Sequence, residues 1–243
     1  MNRSDIKKAQ YVFEGKLKRI AFYTNPFYFV RKNLYVAIKR YAPRMKGSIL
    51  DFGCGAKPYV ELFENCSEYI GMDIDVSGHD HINESIDVYY DGKHIPFEDE
   101  RFDNVFSSEV FEHIADPEDI IPEISRVLKK GGYLLVTVPF VWNEHEVPYD
   151  FKRYTSYGII DLLEKQGFEI IRLKKSTSYL EMIYQMKAEY YRYLFSGKRP
   201  IVRHFIQGTI ISLQNIKGTL MNRILPENWS FYGDNIVLCR KKK

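Results

Sequence analysis

Short apolar runs alternate with amphipathic stretches through the middle of this chain, a pattern that predicts βαβ units and a parallel sheet. Residues 48–52 (SILDF) read as a strand that runs into Gly53, Cys54 and Gly55, with Pro58 opening a helix that reaches about residue 65. Residues 68–73 (EYIGMD) read as a second strand, 85–89 as a weaker third and 102–108 (FDNVFSS) as a fourth. Asp116, Pro117, Glu118 and Asp119 supply an N-cap, a proline suited to the first helical position and first-turn acids. Lys129 and Lys130 before Gly131 and Gly132 supply cations and a glycine stop, so a helix is predicted over 117–129. A fifth strand is expected over 133–138, a helix from Thr155 to Gly167, a sixth strand over 168–174 and a seventh over 235–240.

About 55 residues separate the last two strands, far more than a hairpin needs, so they carry structure of their own. Helices are predicted over 179–195, rich in Tyr and Met, and over 201–225. In the second, Val202, Phe205, Ile206, Ile210, Leu213, Ile216, Leu220 and Ile224 recur near helical spacing among Arg203, Lys217 and Arg223. Upstream, residues 25–41 read as a helix with an aromatic face. The expected division is an N-terminal helical cap (1–46), an α/β core (47–176), a helical insertion (177–230) and a last core strand (231–243). The insertion reads either as a cap on a substrate pocket or as a helix lying on an anionic membrane surface.

A length of 243 residues allows one substantial core with appendages, and 45% hydrophobic with 28% charged residues excludes disordered, collagen-like and disulfide-framework classes. Cys54, Cys66 and Cys239 show no paired spacing such as C-x-x-C, so a reducing compartment is expected, all three read as small buried hydrophobes, and no metal ligand is assigned. The first twenty residues carry charges every few positions, unlike a secretory signal, and no apolar run is long enough for a membrane span. A cytoplasmic location follows as an expectation, with peripheral contact at the inner face of the membrane left open. Charge is unevenly spread: residues 1–46 carry a net +10, 47–171 a net −17 and 172–243 a net +10. Basic ends of this kind either neutralise an acidic centre within one fold or meet an anionic surface.

The chemistry centres on the first strand and its turn. Glycines between a strand and a helix let backbone approach a nucleotide-like ligand, and Asp73, 18 residues after Gly55, stands where a carboxylate can accept hydrogen bonds from two ribose hydroxyls. The dinucleotide fingerprint G-x-G-x-x-G would need Gly or Ala at Pro58, which disfavours NAD or FAD.

Five blocks in order, DFGCG (51–55), YIGMDI (69–74), DGKHIPF (91–97), FDNVFSSEVFEHI (102–114) and RVLKKGGY (126–133), together resemble a class I S-adenosylmethionine (SAM)-dependent methyltransferase, nearest the type 11 branch. The resemblance implies a Rossmann-like, doubly wound seven-stranded sheet whose last strand is antiparallel. It implies SAM, leaving as S-adenosylhomocysteine (SAH), across the ends of the first, second and fourth strands. It places Gly53 and Gly55, after Asp51, along the methionine and ribose, Asp73 with Ile74 at the ribose, Asp91 and Gly92 beside the adenine, and Ser108 and Glu109 at the methionine end. Lys57 departs from the pattern, since a third glycine is usual there.

Methyl transfer from a sulfonium needs alignment of the acceptor and exclusion of water more than it needs a base. For an oxygen acceptor a His or carboxylate helps by taking the hydroxyl proton. The loop 140–154 (FVWNEHEVPYDFKRY) offers His145 as base with Glu146 or Asp150 as orienter; His113 is a second candidate, and both histidines read equally as loop anchors. The leading expectation is an enzyme that O-methylates a small-molecule or saccharide-type acceptor, such as a lipid-linked envelope polysaccharide precursor. Alternatives are a nucleic-acid methyltransferase, disfavoured because SSEV stands where an Asn/Asp-Pro-Pro-aromatic block is usual, and a SAM-binding scaffold without turnover.

Overall fold

The structure, a computed structural model, describes residues 11–75, 85–197 and 200–242, the side chains of 200–204 excepted. The chain divides into two compact units, Met1–Ala37 with Lys175–Gly233 and Ile38–Lys174 with Asp234–Lys243. The seven-stranded sheet comprises β1 (Gly47–Phe52), β2 (Cys66–Ile74), β3 (Val88–Tyr90), β4 (Phe102–Ser108), β5 (Leu128–Pro139), β6 (Phe168–Lys175) and β7 (Asp234–Lys241), in the order β3-β2-β1-β4-β5-β7-β6. The pairs β1–β2, β1–β4, β2–β3 and β4–β5 are parallel, whereas β7 runs antiparallel to β5 with Thr137 opposite Ile236. This is the doubly wound sheet expected, last strand included.

Strands covered on both faces read as continuous apolar runs. Ile49, Leu50 and Phe52 of β1, Val105 and Phe106 of β4 and Leu134, Leu135 and Val136 of β5 are all buried. Below them, the helix Pro117–Val127 buries Ile120, Ile121, Ile124 and Val127, and the helix Ser156–Lys165 buries Ile159, Leu162 and Leu163. Thr155 caps the latter, its hydroxyl accepting the Gly158 N–H at 3.0 Å. In chain order, the helices are α1 (Gly15–Thr24), α2 (Tyr28–Tyr41), α3 (Pro117–Val127), α4 (Ser156–Lys165), α5 (Tyr179–Leu194) and α6 (Pro200–Ile224).

Four local expectations are corrected. Residues 58–65 form no helix; one 3-10 turn, Val60–Leu62, is present. Only thirteen residues join β1 to β2, and a helix rising about 1.5 Å per residue cannot return along a six-residue strand of about 20 Å after the turn is made. The third strand is short and displaced, Val88–Tyr90 rather than 85–89. At Lys129–Gly132 the helix does not run on to a glycine stop: α3 ends at Val127, β5 begins at once, and three extra residues bulge where Phe102 faces Leu128 and Asn104 faces Tyr133, with Gly131 at φ +78°. Cys54 and Cys239 are buried, but Cys66 is half-buried and its thiol donates to the Met45 carbonyl.

In the other unit, α5 packs on α6 and α1 packs on α6. A capping box at Ser178 and Glu181 starts α5, and Glu181 also accepts from Lys32 and Asn33 of α2. The helix predicted over 25–41 begins at Tyr28 because Asn25 turns the chain, its side chain accepting the Phe27 N–H at 2.9 Å. The buried face of α6 is Ile211, Gln214 and Asn215, with Gly218 against Phe29, and the Asn215 amide donates to the Phe22 carbonyl at 2.8 Å. Of the apolar residues at helical spacing, Phe205, Leu213, Ile216, Leu220 and Ile224 are exposed, and the Val202 side chain lies outside the described residues. Among the described residues no helix is long and apolar enough to cross a membrane.

Candidate active site

The carboxyl ends of β1, β2, β4 and β5 collect the predicted site residues. After Phe52 the chain turns through Gly53 (φ +72°), Gly55 (φ +46°) and Lys57 (φ +50°), left-handed backbone that glycine adopts freely and L side chains resist. The Gly53 and Cys54 N–H groups donate to the Met72 carbonyl, which pins the turn to β2. A Cβ at Gly53 would stand 2.3 Å from Val110, so only glycine leaves room for the chain here. Lys57, at the position of the usual third glycine, tolerates the strained backbone because its side chain is held. The stem crosses Gly71, where an added Cβ would meet Lys57 Cε at 2.1 Å, and the ammonium pairs with Asp87.

Asp73 closes β2 beside this turn, its Oδ2 accepting the Gly55 N–H and its Oδ1 the Ile74 N–H, both at 2.8 Å. These bonds fix the carboxylate at the mouth of the glycine turn. Asp51 lies deeper, hydrogen-bonded by the Tyr69 hydroxyl, and burial outweighs that bond to push its carboxyl up to about 7. Gly92 (φ +82°) comes against Ile74, with an added Cβ 3.1 Å from Ile74 Cδ1. Asp91 is exposed and accepts the Lys93 and His94 N–H groups, which hold its carboxyl below the usual range.

Ser108 and Glu109 end β4. Glu109 also takes a left-handed φ of +57°, and its N–H donates to the Thr137 carbonyl at 3.0 Å. The Thr137 hydroxyl donates its single proton to Glu109 Oε1 (2.8 Å), so Ser108 Oγ, 2.9 Å away, donates to Thr137. Burial raises the Glu109 carboxyl to about 7 against the opposing bonds from Thr137 and Asp234.

The loop between β5 and α4 folds back over Glu112 and His113. The Phe151 and Lys152 N–H groups donate to the Glu112 carbonyl, and the Tyr154 hydroxyl donates to the Phe111 carbonyl. Asp150 grips Arg153 with both oxygens, accepts the His145 N–H at 2.9 Å and lies 3.3 Å from His145 Nδ1. The Arg153 guanidinium holds the Asp150 carboxyl far below its usual range. The His145 and His113 rings meet edge to face at 4.7 Å, and Glu146 Oε2 is 3.8 Å from His113 Nε2. His145, Asp150, Glu146 and His113 thus stand together, with Asp150 the partner of His145 and Glu146 the partner of His113. Sequence reading passed over Glu112, Thr137 and Arg153; the signals available were the EH pair directly after β4 and an Arg three residues beyond Asp150.

Residues 50–136, which carry the turn, Asp73, Asp91 and Glu109, match the family model described as a methyltransferase domain. Over these residues the chain carries a methyltransferase domain. The chain is 28% identical over 147 residues to a Mycolicibacterium smegmatis protein described as "Probable S-adenosylmethionine-dependent methyltransferase", a stretch covering 56% of this chain and 57% of that one. The chain therefore spans little more than half the length of that relative. In fold it is similar to the [4+2]-cyclase SpnF (TM-score 0.56, 18% identity, 85% of this chain and 81% of that one). It is similar also to Haemonchus contortus phosphoethanolamine N-methyltransferase 2 solved with SAM (TM-score 0.52, 22% identity, 99% and 60%). The cradle fits a SAM molecule: glycine backbone at Gly53, where an added Cβ would meet Val110, and at Gly55, with φ +46°, lies beside an oriented carboxylate at Asp73.

Proposed function

We propose that the protein transfers the methyl group of SAM to an oxygen of a small-molecule or saccharide-type acceptor. The observation that carries this reading is the left-handed turn from Gly53 to Lys57 facing the oriented Asp73 carboxylate. Gly53 and Gly55 border the methionine and ribose, Asp73 and Ile74 hold the ribose, Asp91 and Gly92 border the adenine, and Ser108 and Glu109 face the methionine end. SAM supplies an already activated methyl group. The chain's own part is to align the acceptor, exclude water and receive a proton. His145 suits the last task, since an Asp150 carboxylate at its Nδ1 favours the tautomer with a free Nε2.

The exposed stripe of α6 supports an acceptor presented at an anionic membrane surface, and hence a lipid-linked one. Phe205, Leu213, Ile216, Leu220 and Ile224 leave that stripe bare, with Lys217 and Arg223 close by in the same helix.

Titration of the purified protein with SAH in a calorimeter tests the cofactor site. Wild type is expected to bind in the micromolar range, and Asp73→Ala to lose most of that affinity. Binding indifferent to Asp73→Ala overturns the placement, and no binding at all overturns the activity.

A further inference from the structure

We propose that Glu112, His113 and His145 form a site for one first-row divalent cation beside the methyl-transfer pocket. Each offers a ligand atom, and these atoms lie within 4.8 Å of one another. Ligands about 2.1 Å from a tetrahedral ion stand about 3 to 3.5 Å apart, so small rotations of the side chains close the set.

The carboxylate of Glu112 carries the argument. Its side chain is completely buried, yet neither oxygen has a hydrogen-bond partner. An isolated buried carboxylate is costly and is normally paired, bonded or bound to metal. Arg153, whose charge acts on Glu112, directs both terminal nitrogens to Asp150 and to backbone carbonyls instead. Glu109, one turn earlier, does not serve as an alternative ligand because it is engaged by Thr137.

Both imidazoles are presented as metal ligands are. His113 Nδ1 lies 2.9 Å from the Tyr149 carbonyl, an acceptor only, so Nδ1 carries the proton and the Nε2 lone pair is left toward Glu112 Oε1 and Glu146 Oε2, each 3.8 Å away. His145 Nδ1 lies between the Asn143 carbonyl (3.2 Å) and Asp150 (3.3 Å), which fixes the same tautomer, so its Nε2 binds the ion in place of the proton it receives in the metal-free protein. A ring nitrogen held by a carbonyl or carboxylate, with the other left to the metal, is the usual outer shell of a histidine ligand. Two imidazoles and one carboxylate suit Mn²⁺, Co²⁺ or Zn²⁺ over Ca²⁺, and three protein ligands leave positions for water or an acceptor oxygen. Sequence spacing concealed the site because 32 residues separate the histidines.

The site's place beside the methyl donor rests on the methyltransferase reading, but its existence does not. Chelator-stripped protein is titrated with Mn²⁺, followed by electron paramagnetic resonance, and with Co²⁺, followed by visible absorbance, and SAH affinity is measured in parallel. One ion per chain is expected, with affinity falling more than about tenfold in Glu112→Gln and in His145→Ala while SAH affinity persists. The second variant alters a half-exposed loop residue and so guards against loss of fold. Wild-type affinity for both ions no higher than that of the double variant His113→Ala/His145→Ala overturns the proposal. Metal binding without SAH binding upholds the site and removes the cofactor reading; SAH binding without metal removes the site alone.

Discussion

Single residues in this fold are held by what surrounds them more than by their own preferences. Gly53 is the plainest case: φ of +72° and a Cβ position 2.3 Å from Val110 oppose any side chain. Left-handed backbone alone costs an L residue about 1 to 2 kcal/mol. Gly53→Val is therefore expected to lower the urea midpoint by a few kcal/mol equivalent and to abolish SAH binding, whereas Lys57→Gly relieves strain but frees the Asp87 carboxylate and is expected to change stability little. Asp51 gives a pH signature. Its carboxyl titrates at about 7 in the folded protein because it is buried, against an ordinary value of 3.8. Between those values the native state holds a proton that the unfolded chain has lost, so stability is highest below the lower value and declines as pH rises through about 7. Urea midpoints of the ligand-free protein between pH 4.5 and 8 are expected to fall with pH, with a shallower fall in Asp51→Asn. An equal slope in both would assign the dependence to other groups.

At the scale of elements, α4 and α6 show where sequence pattern succeeds and where it misleads. Thr155 before an apolar-periodic run announces α4, and its hydroxyl does cap Gly158; Thr155→Ala is expected to cost about 1 kcal/mol in thermal or urea unfolding. The strands β1 and β5 were legible because burial on both faces leaves apolar runs, and β2 and β4 because a short stretch with apolar members ends at a polar cluster, Asp73 closing that of β2. Residues 58–65 were not, since Pro58 and the apolar residues after it look helical while the need to return along β1 in a short connection does not appear in any local window. In α6 the periodicity was real, but most of the residues that carry it lie on the exposed side. The helix buries Gln214, Asn215 and Gly218, whose polar bonds and close approach to Phe29 have no apolar signature. A Cβ at Gly218 would stand 2.6 Å from the Phe29 ring, so Gly218→Leu is expected to loosen the α1, α2, α5 and α6 unit. Proteolysis would then cut that unit first, with β-sheet protection against hydrogen exchange retained. The Glu112, His113 and His145 cluster escaped notice for a different reason: a long loop assembles it, and Asp150, Glu146 and backbone carbonyls orient its rings.

The whole molecule separates its charge along the same line that separates its units. Met1–Ala37 with Lys175–Gly233 carries sixteen Lys and Arg against five Asp and Glu, a net +11, while Ile38–Lys174 with Asp234–Lys243 carries a net −8. The basic unit is also the one that leaves Phe205, Leu213, Ile216, Leu220 and Ile224 exposed along α6. Cationic charge draws a protein to an anionic leaflet at about 1 kcal/mol per residue near the surface, and apolar side chains then insert. Neither contribution alone holds a protein on a membrane; together they do. Co-sedimentation with vesicles containing about one-third anionic phospholipid is expected, with little binding to purely zwitterionic vesicles. Raising salt to 0.5 M, where the Debye length shrinks to roughly 4 Å, is expected to release most of the protein. Phe205→Ser with Ile224→Ser removes insertion but not attraction, so it is expected to weaken binding severalfold without altering its salt dependence or SAH affinity. If vesicle binding is absent, or the double variant binds as wild type does, the stripe is not a membrane face, and elution of wild type as a dimer that the double variant loses would assign it to a second copy of the chain instead.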